Sequence, residues 1–408
     1  MPSGLTTRGR CLLAGGVAAA LCALVLDERD LLRIAAFVVF LPLLATLVAT
    51  RARVGLEAQR HVEPERTPAG TPCEVRLTVS STGRLGSGGL LLSDGVPPVL
   101  GRNPRFVVER LPRQSSVLLR HPLRPAQRGV HVLGPLVARV TDPFGLAEYG
   151  RELAGHQQLV VTPVVVPLTG LLPGGGSGSG EEGAGRLRSG PGEDDVVVRS
   201  YRQGDDLRKV HWRSTARHDE LMVRVEERPW RGGTCVLLDS RAAAHRGTGP
   251  TASLEYAVSL AASVCLHLQH RGQRVALTTG DGQSLGGPAD SSPDAVLDAL
   301  AALTPSHRRE LVAGSAAAGR DVLAVLGAVT PAVLEPLLRA RPRGLRSAAV
   351  LLDVAAWDRG GAHTDPEEAA QLLASTGWAV TVAGPEDSLT EAWTQLCTRP
   401  STRLGALR

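Results

Sequence analysis

Lysine is almost missing from this chain. Lys209 is its one occurrence, so the 45 basic residues are otherwise all arginine, and aromatic residues make up only 3% of the 408 positions. With no lysine run and no basic stretch interleaved with aromatics, a nucleic-acid surface is not expected. The phosphate-cradling G-x-x-x-x-G-K-[ST] loop is absent, so any ATP-driven work must be done by another protein. H-E-x-x-H and a nucleophile elbow are absent as well, which removes the commonest local signatures of a metalloprotease or a serine hydrolase. The six cysteines, Cys11, Cys22, Cys73, Cys235, Cys265 and Cys397, form no C-x-x-C pair and have no histidine at ligand spacing. They read as small buried side chains in a reducing compartment, and neither zinc nor any other cofactor is expected.

Two apolar runs open the chain. Cys11 to Leu26 carries no charge and Leu31 to Thr50 carries only Arg33. A bilayer core takes about 20 apolar residues per helix, so residues 1–54 read as a two-helix membrane hairpin turned at Asp27-Glu28-Arg29-Asp30. Arg8 and Arg10 precede the first span and Arg51, Arg53 and Arg60 follow the second, while the connecting loop is mostly acidic. By the positive-inside rule both ends face the cytoplasm of a two-span protein of the cell membrane. A secretory signal is the competing reading of the first run, but a second span starting so soon leaves no room for a mature start.

Residues 55–167 follow the period of β-strands. Cys73, Val75, Leu77 and Val79 alternate with polar residues, and Leu136, Ala138 and Val140 form a second such run. Several short strands with turn residues between them suggest a small antiparallel β-sandwich. Asp142-Pro143-Phe144-Gly145-Leu146 reads as a turn, with Gly145 at positive φ and Phe144 and Leu146 anchoring the corner in the core. Residues 168–195 are rich in Gly, Ser and acids and read as a flexible linker. Their Gly178-to-Gly183 match to a dinucleotide fingerprint is rejected, because no strand leads into it and Glu181 and Glu182 would repel phosphate.

Residues 196–233 hold the densest cluster of polar residues. Asp205 and Asp206 follow Gly204 and precede Leu207, Val210 and His211 at helical spacing, so they can cap a short helix with Arg213 and Arg217 in its last turn. Leu221, Val223 and Val225 then alternate as a strand, which is expected to return through Pro229 and Gly232-Gly233 as a hairpin with the next strand. Such Arg and Asp clusters most often form ion-pair networks that dock a helix to a sheet; binding of a partner or an anion is the next reading, and catalysis the third. The run Gly204, Asp205, Arg208, Trp212, Arg213, Ala216 and Arg217 resembles the signature of the domain of unknown function 58 family, which is reached through a stretch similar to 128–146. That resemblance implies a membrane-anchored architecture and a MoxR-type AAA+ ATPase as partner.

Residues 234–408 alternate apolar strands with helices. The strands are expected at Thr234 to Leu238, Arg274 to Thr278, Asp321 to Leu326, Ala348 to Leu352 and Ala379 to Ala383, with the clearest helix at Leu254 to Gln269. Strands this apolar imply a mainly parallel sheet covered on both faces. With Asp239-Ser240 ending the first strand, the stretch is similar to a von Willebrand factor A-like domain, a resemblance that implies a metal-ion-dependent adhesion site built on Asp-x-Ser-x-Ser. Here Asp239 is kept while Arg241 and Ala243 stand at the serine positions. No adhesion-type metal is expected, and Asp239 is expected to pair with Arg241 or to cap its loop. The sequence therefore points to a non-enzymatic, membrane-anchored interaction or assembly protein. The alternative is a hydrolase or anion-binding protein using Asp205 or Asp206 as base, His211 as shuttle and Arg208, Arg213 and Arg217 as clamp, with His245, Asp281 and Asp353 in reserve.

Overall fold

The computed structural model describes residues 4–51, 55–82, 90–109, 111–141, 144–172, 197–200, 222–225, 233–285, 292–312, 320–341, 345–358 and 365–398. Two compact units emerge, the first made of 1–164 with 297–303 and the second of 165–296 with 304–408.

In the first unit a short strand, β1 (Gly4–Leu5), leads into two long helices, α1 (Thr7–Leu26) and α2 (Arg29–Arg51). Thr6 caps α1, its Oγ1 accepting from the Gly9 N–H, and Asp27 closes the helix in a left-handed conformation. Both helices are long and apolar enough to cross a membrane. Small residues line the buried face of α1. Gly9, Gly16 and Ala23, two turns apart, are its buried positions; Gly16 meets α2, where an added Cβ would lie 2.8 Å from the Val39 side chain, while Gly9 faces the Leu146 carbonyl. Close approach through small residues is how helices pack where burying apolar surface gives no drive. The large side chains, among them Leu21, Leu24, Val25, Ile34, Phe37 and Phe40, point outward.

The rest of this unit is β-structure: β2 (Leu56–Glu63), β3 (Arg66–Pro68), β4 (Cys73–Ser81), β5 (Leu90–Asp94), β6 (Arg105–Val108), β7 (Ser116–Leu123), β8 (Gly129–Leu133), β9 (Leu136–Thr141), β10 (Ala147–Ala154) and β11 (Gln157–Thr162). They form three sheets ordered β1-β10-β9-β5-β6, β2-β4-β7 and β3-β11-β8. All pairs are antiparallel except β3 with β11, which run parallel. The alternation of β4 is the one its sequence dictates, with Cys73, Val75, Leu77 and Val79 inside. Across the core the first two sheets share a buried polar group that the sequence reading missed. Arg60 of β2 donates to Asp94 of β5, whose other oxygen lies 3.2 Å from His121 Nε2 of β7. A second Arg60 nitrogen donates to the Gly155 carbonyl at 2.6 Å, so the buried charges are paired.

One expectation for the turn is corrected. Gly145 has φ +70 and Leu146 is buried, as read from sequence. Phe144, however, is 68% exposed and does not enter the core. Leu146 and Ala147 pack instead with Ala45, Leu12, Leu41 and Tyr149, so this corner is anchored on the helix pair.

In the second unit β12 (Val197–Ser200) and β13 (Met222–Val225) form an antiparallel pair. The main sheet holds β14 (Thr234–Leu238), β15 (Val275–Thr279), β16 (Asp321–Leu326), β17 (Ser347–Leu352) and β18 (Ala379–Ala383), all parallel, in the order β15-β14-β16-β17-β18. The helices are α3 (Ser253–His270), α4 (Pro293–Ala302), whose residues from 297 on count with the first unit, α5 (Pro331–Arg339), α6 (Pro366–Ser375) and α7 (Leu389–Thr398). α5 and α6 share one apolar layer with Leu237, Leu326, Leu351 and Val380, and α3 and α7 pack together and against the sheet. Every residue of β14, β15 and β17 is therefore buried. The expected hairpin between the 221–225 strand and β14 does not form: both edges of β14 are taken by β15 and β16, and β13 pairs with β12.

Residues 168–172, read as the start of the linker, are packed. Leu168 and Leu172 are buried, the Thr169 carbonyl accepts from Trp393 Nε1 at 2.9 Å, and the Gly170 carbonyl lies 2.7 Å from His267 Nε2. Leu168 and Leu172 provide apolar surface that the composition of 168–195 as a whole conceals.

Candidate functional site

The strand order of the second unit, numbered along the chain, is 2-1-3-4-5. In such a sheet the chain reverses direction between strands 1 and 3, and the carboxyl ends of those two strands flank the crevice where open α/β folds bind ligands. Here those ends are Asp239, after β14, and Gly327, after β16.

The crevice is filled by the chain itself. Asp239 is fully buried and Arg241 is 3% exposed. Arg241 Nε donates to Asp239 Oδ1 at 2.9 Å and its Nη2 to Oδ2 at 2.7 Å, a bidentate pair. The same guanidinium reaches two further loops, donating from Nη1 to the Arg309 carbonyl at 3.0 Å and from Nη2 to the Ala328 carbonyl at 3.3 Å. The backbone N–H groups of Arg241 and Gly327 add to the carboxylate at 3.1 and 3.3 Å. Gly327 leaves no space for a side chain, since a Cβ there would lie 2.2 Å from the Ala244 carbonyl oxygen. Ser306 clamps the roof from the other side: its N–H donates to the Ser240 carbonyl and its carbonyl accepts from Ala242, both at 2.7 Å.

This arrangement tests the metal that the sequence resemblance implies. Magnesium requires a near-octahedral set of oxygens. Both oxygens of Asp239 are committed to a cation the protein already owns, and Ala243 offers an exposed methyl group in place of a hydroxyl. The residues present do not fit the ion. Among the described residues no three His, Cys, Asp or Glu side chains converge in a way that could hold a metal.

The other residues considered from sequence are spread along the same edge of the sheet. His245 Nε2 lies 2.8 Å from the Asp239 carbonyl, which can only accept, so Nε2 carries the proton; Nδ1 lies 3.1 Å from Ser253 Oγ. Ser253 is fully buried, so this contact ties the loop after β14 to the start of α3 and presents no nucleophile to a substrate. Asp281, after β15, accepts from Thr279 Oγ1. That bond, with smaller help from Ser306 and the Gln283 backbone, holds its carboxyl below the usual carboxylate range. Asp353, after β17, donates its N–H to the Ala383 carbonyl and opens the turn that holds Trp357. Trp357 Nε1 donates to the Thr251 carbonyl at 3.0 Å and its ring meets Tyr256 edge-on at 5.6 Å. Arg309, Ser306, Gly327 and Ala328 were not singled out from sequence; only the glycine after an apolar strand carried a local signal.

The signature residues Gly204, Asp205, Asp206, Arg208, His211, Trp212, Arg213, Ala216 and Arg217 lie outside the described residues. What is described are the strands on either side of them. Ser200 pairs with Met222, so the 201–221 connection leaves and returns at adjacent points of one antiparallel ladder.

No curated protein matches this chain. Among solved structures, similarity is found to the alkylpurine DNA glycosylase AlkC of Pseudomonas fluorescens, at 15% identity over 33% of this chain and 40% of that one, with a TM-score of 0.20. A CARDB domain from Pyrococcus furiosus is 16% identical over 26% of this chain and 84% of its own, with a TM-score of 0.19. Beta-glucosidase 3B of Thermotoga neapolitana is 11% identical over 26% of this chain and 17% of its own, with a TM-score of 0.14. Superpositions this poor carry no argument about fold or function. The family comparison is the informative one: a family model described as Protein of unknown function DUF58 matches residues 197–329, the family that the run from Gly204 to Arg217 resembles.

Proposed function

We propose that this protein is a membrane-anchored recognition or assembly factor, not an enzyme, and that its second unit is a von Willebrand factor A-like domain that works without the adhesion metal. The observation that carries the reading is the Asp239–Arg241 pair, whose guanidinium takes up the carboxylate at the carboxyl edge of the sheet. Recognition is then left to the surface of that edge and to the 201–221 segment. The outward-facing leucines and phenylalanines of α1 and α2 support membrane anchoring, since a soluble hairpin would bury them. Both units face the cytoplasm, the side favoured by the arginines that flank the two apolar runs in the sequence. A MoxR-type AAA+ ATPase is the partner, supplying the nucleotide chemistry for which this chain has no phosphate loop.

Two measurements on the full-length protein in lipid nanodiscs test the proposal. Its thermal midpoint is expected to be the same in magnesium and in chelator; a magnesium-dependent rise that disappears in Asp239→Asn would overturn the metal-free reading. A purified MoxR-type ATPase is expected to bind, and Arg213→Ala with Arg217→Ala to weaken binding at an unchanged midpoint. Retained binding with a lowered midpoint would make the signature a structural brace alone.

A further inference from the structure

The corner at residues 144–147 has a position that the β-domain alone does not explain. Three of the four phenylalanines are exposed: Phe37 and Phe40 on α2, and Phe144 on the corner. Phe106 is the one packed against the β core. The corner meets the helix pair at the end remote from the 27–28 turn. Thr6 Oγ1 donates to the Gly145 carbonyl at 2.6 Å, and the Thr6 N–H to the Leu146 carbonyl at 2.9 Å. The fit is close enough that a Cβ on Gly9 would lie 2.1 Å from the Leu146 oxygen. Leu146 and Ala147 then share a cluster with Leu12, Leu41 and Ala45.

These contacts fix the depth of the corner. α1 has 20 residues, so at helical rise it spans about 30 Å, the thickness of a bilayer hydrocarbon core. Thr6 and the first turn of α1 therefore lie at the headgroup boundary, with Leu12 of α1 and Ala45 of α2 within about two turns of it. A side chain beside them and turned outward faces lipid. Arg8 and Arg10 are exposed at the same level, and Arg8 Nη1 lies within 3.8 Å of where a Gly145 Cβ would stand. An exposed aromatic beside arginines at the hydrocarbon boundary is the composition of an interfacial anchor.

We infer that Phe144 is a third membrane contact, inserted among the lipids of the leaflet nearest the β-domain, and that the corner fixes that domain against the bilayer surface. The inference rests on the membrane reading of α1 and α2. Its occupant is the boundary between acyl chains and headgroups of the bilayer that those helices cross.

Depth-dependent quenching tests it. The full-length protein carrying Phe144→Trp is reconstituted into phosphatidylcholine vesicles whose acyl chains are brominated either near the glycerol or near the bilayer centre. Emission of the wild-type protein, from its five native tryptophans, is subtracted. Phe40→Trp, at the middle of α2 and 57% exposed, is measured in parallel. The added emission at position 144 is expected to be lost chiefly with the shallow bromines, and that at position 40 chiefly with the deep ones. Quenching at 40 without quenching at 144 overturns the inference and leaves the spanning helices standing. Quenching at neither position removes the membrane reading and the inference with it.

Discussion

Arg241 is held by more of the second unit than any other charged side chain discussed, and its removal separates two accounts of a buried ion pair. Arg241→Ala leaves Asp239 buried with a charge and no counter-ion, and is expected to destabilise the protein by about 3–5 kcal/mol. Asp239→Asn combined with Arg241→Met removes both charges while keeping the acceptor for the Gly327 N–H, and is expected to cost clearly less than Arg241→Ala alone. Denaturant unfolding of the wild type, Asp239→Asn, Arg241→Met and the double variant measures this coupling, with Arg241→Ala beside them, and equal losses would show that the pair contributes through packing alone. Asp281 supplies a second test, with a sign fixed by its lowered carboxyl. Its folded value lies below the unfolded one, about 3.9, so its contribution is complete above that pH and is lost as pH falls through the folded value. Asp281→Asn is thus expected to lower the thermal midpoint at neutral pH, and the gap from wild type to close in strong acid. The Asp239–Arg241 pair was legible from sequence because its members are two residues apart. Arg309, Gly327 and Ala328 were not, because nothing local ties them to a residue so far back in the chain.

The elements were read unevenly, for physical reasons. The strands 234–238, 321–326 and 379–383 came out with the boundaries expected from sequence, since each is an apolar run buried on both faces with polar or turn residues beside it. The two long apolar helices were equally plain in composition. Their seam was not, because glycines and alanines in an apolar run look alike until a partner helix selects some of them. Gly16→Val tests that selection: the β-branched side chain must displace Val39, and overpacking of this kind typically costs about 1–3 kcal/mol. Replacing Gly15, around which a Cβ would meet nothing, is expected to leave the thermal midpoint in detergent almost unchanged. Phe144 turns outward although the sequence points inward, because an aromatic beside a glycine turn has the same local signature whether its side chain enters the core or leaves it.

For the protein as a whole, the charge distribution sets an expectation about sidedness. Protease added outside intact cells is expected to leave the chain beyond residue 54 uncut, and to cut it once the membrane is permeabilised. The pairing of β1 with β10 adds a constraint on synthesis, for Gly4 finds its ladder partner only at Glu148. The five-stranded sheet thus cannot acquire its outer strand until the ribosome has released that partner, well after both helices have been made. A nascent chain arrested before Ala147 would hold the complete α1–α2 pair with Gly4 and Leu5 still without their ladder, so closure of this sheet follows synthesis of both helices.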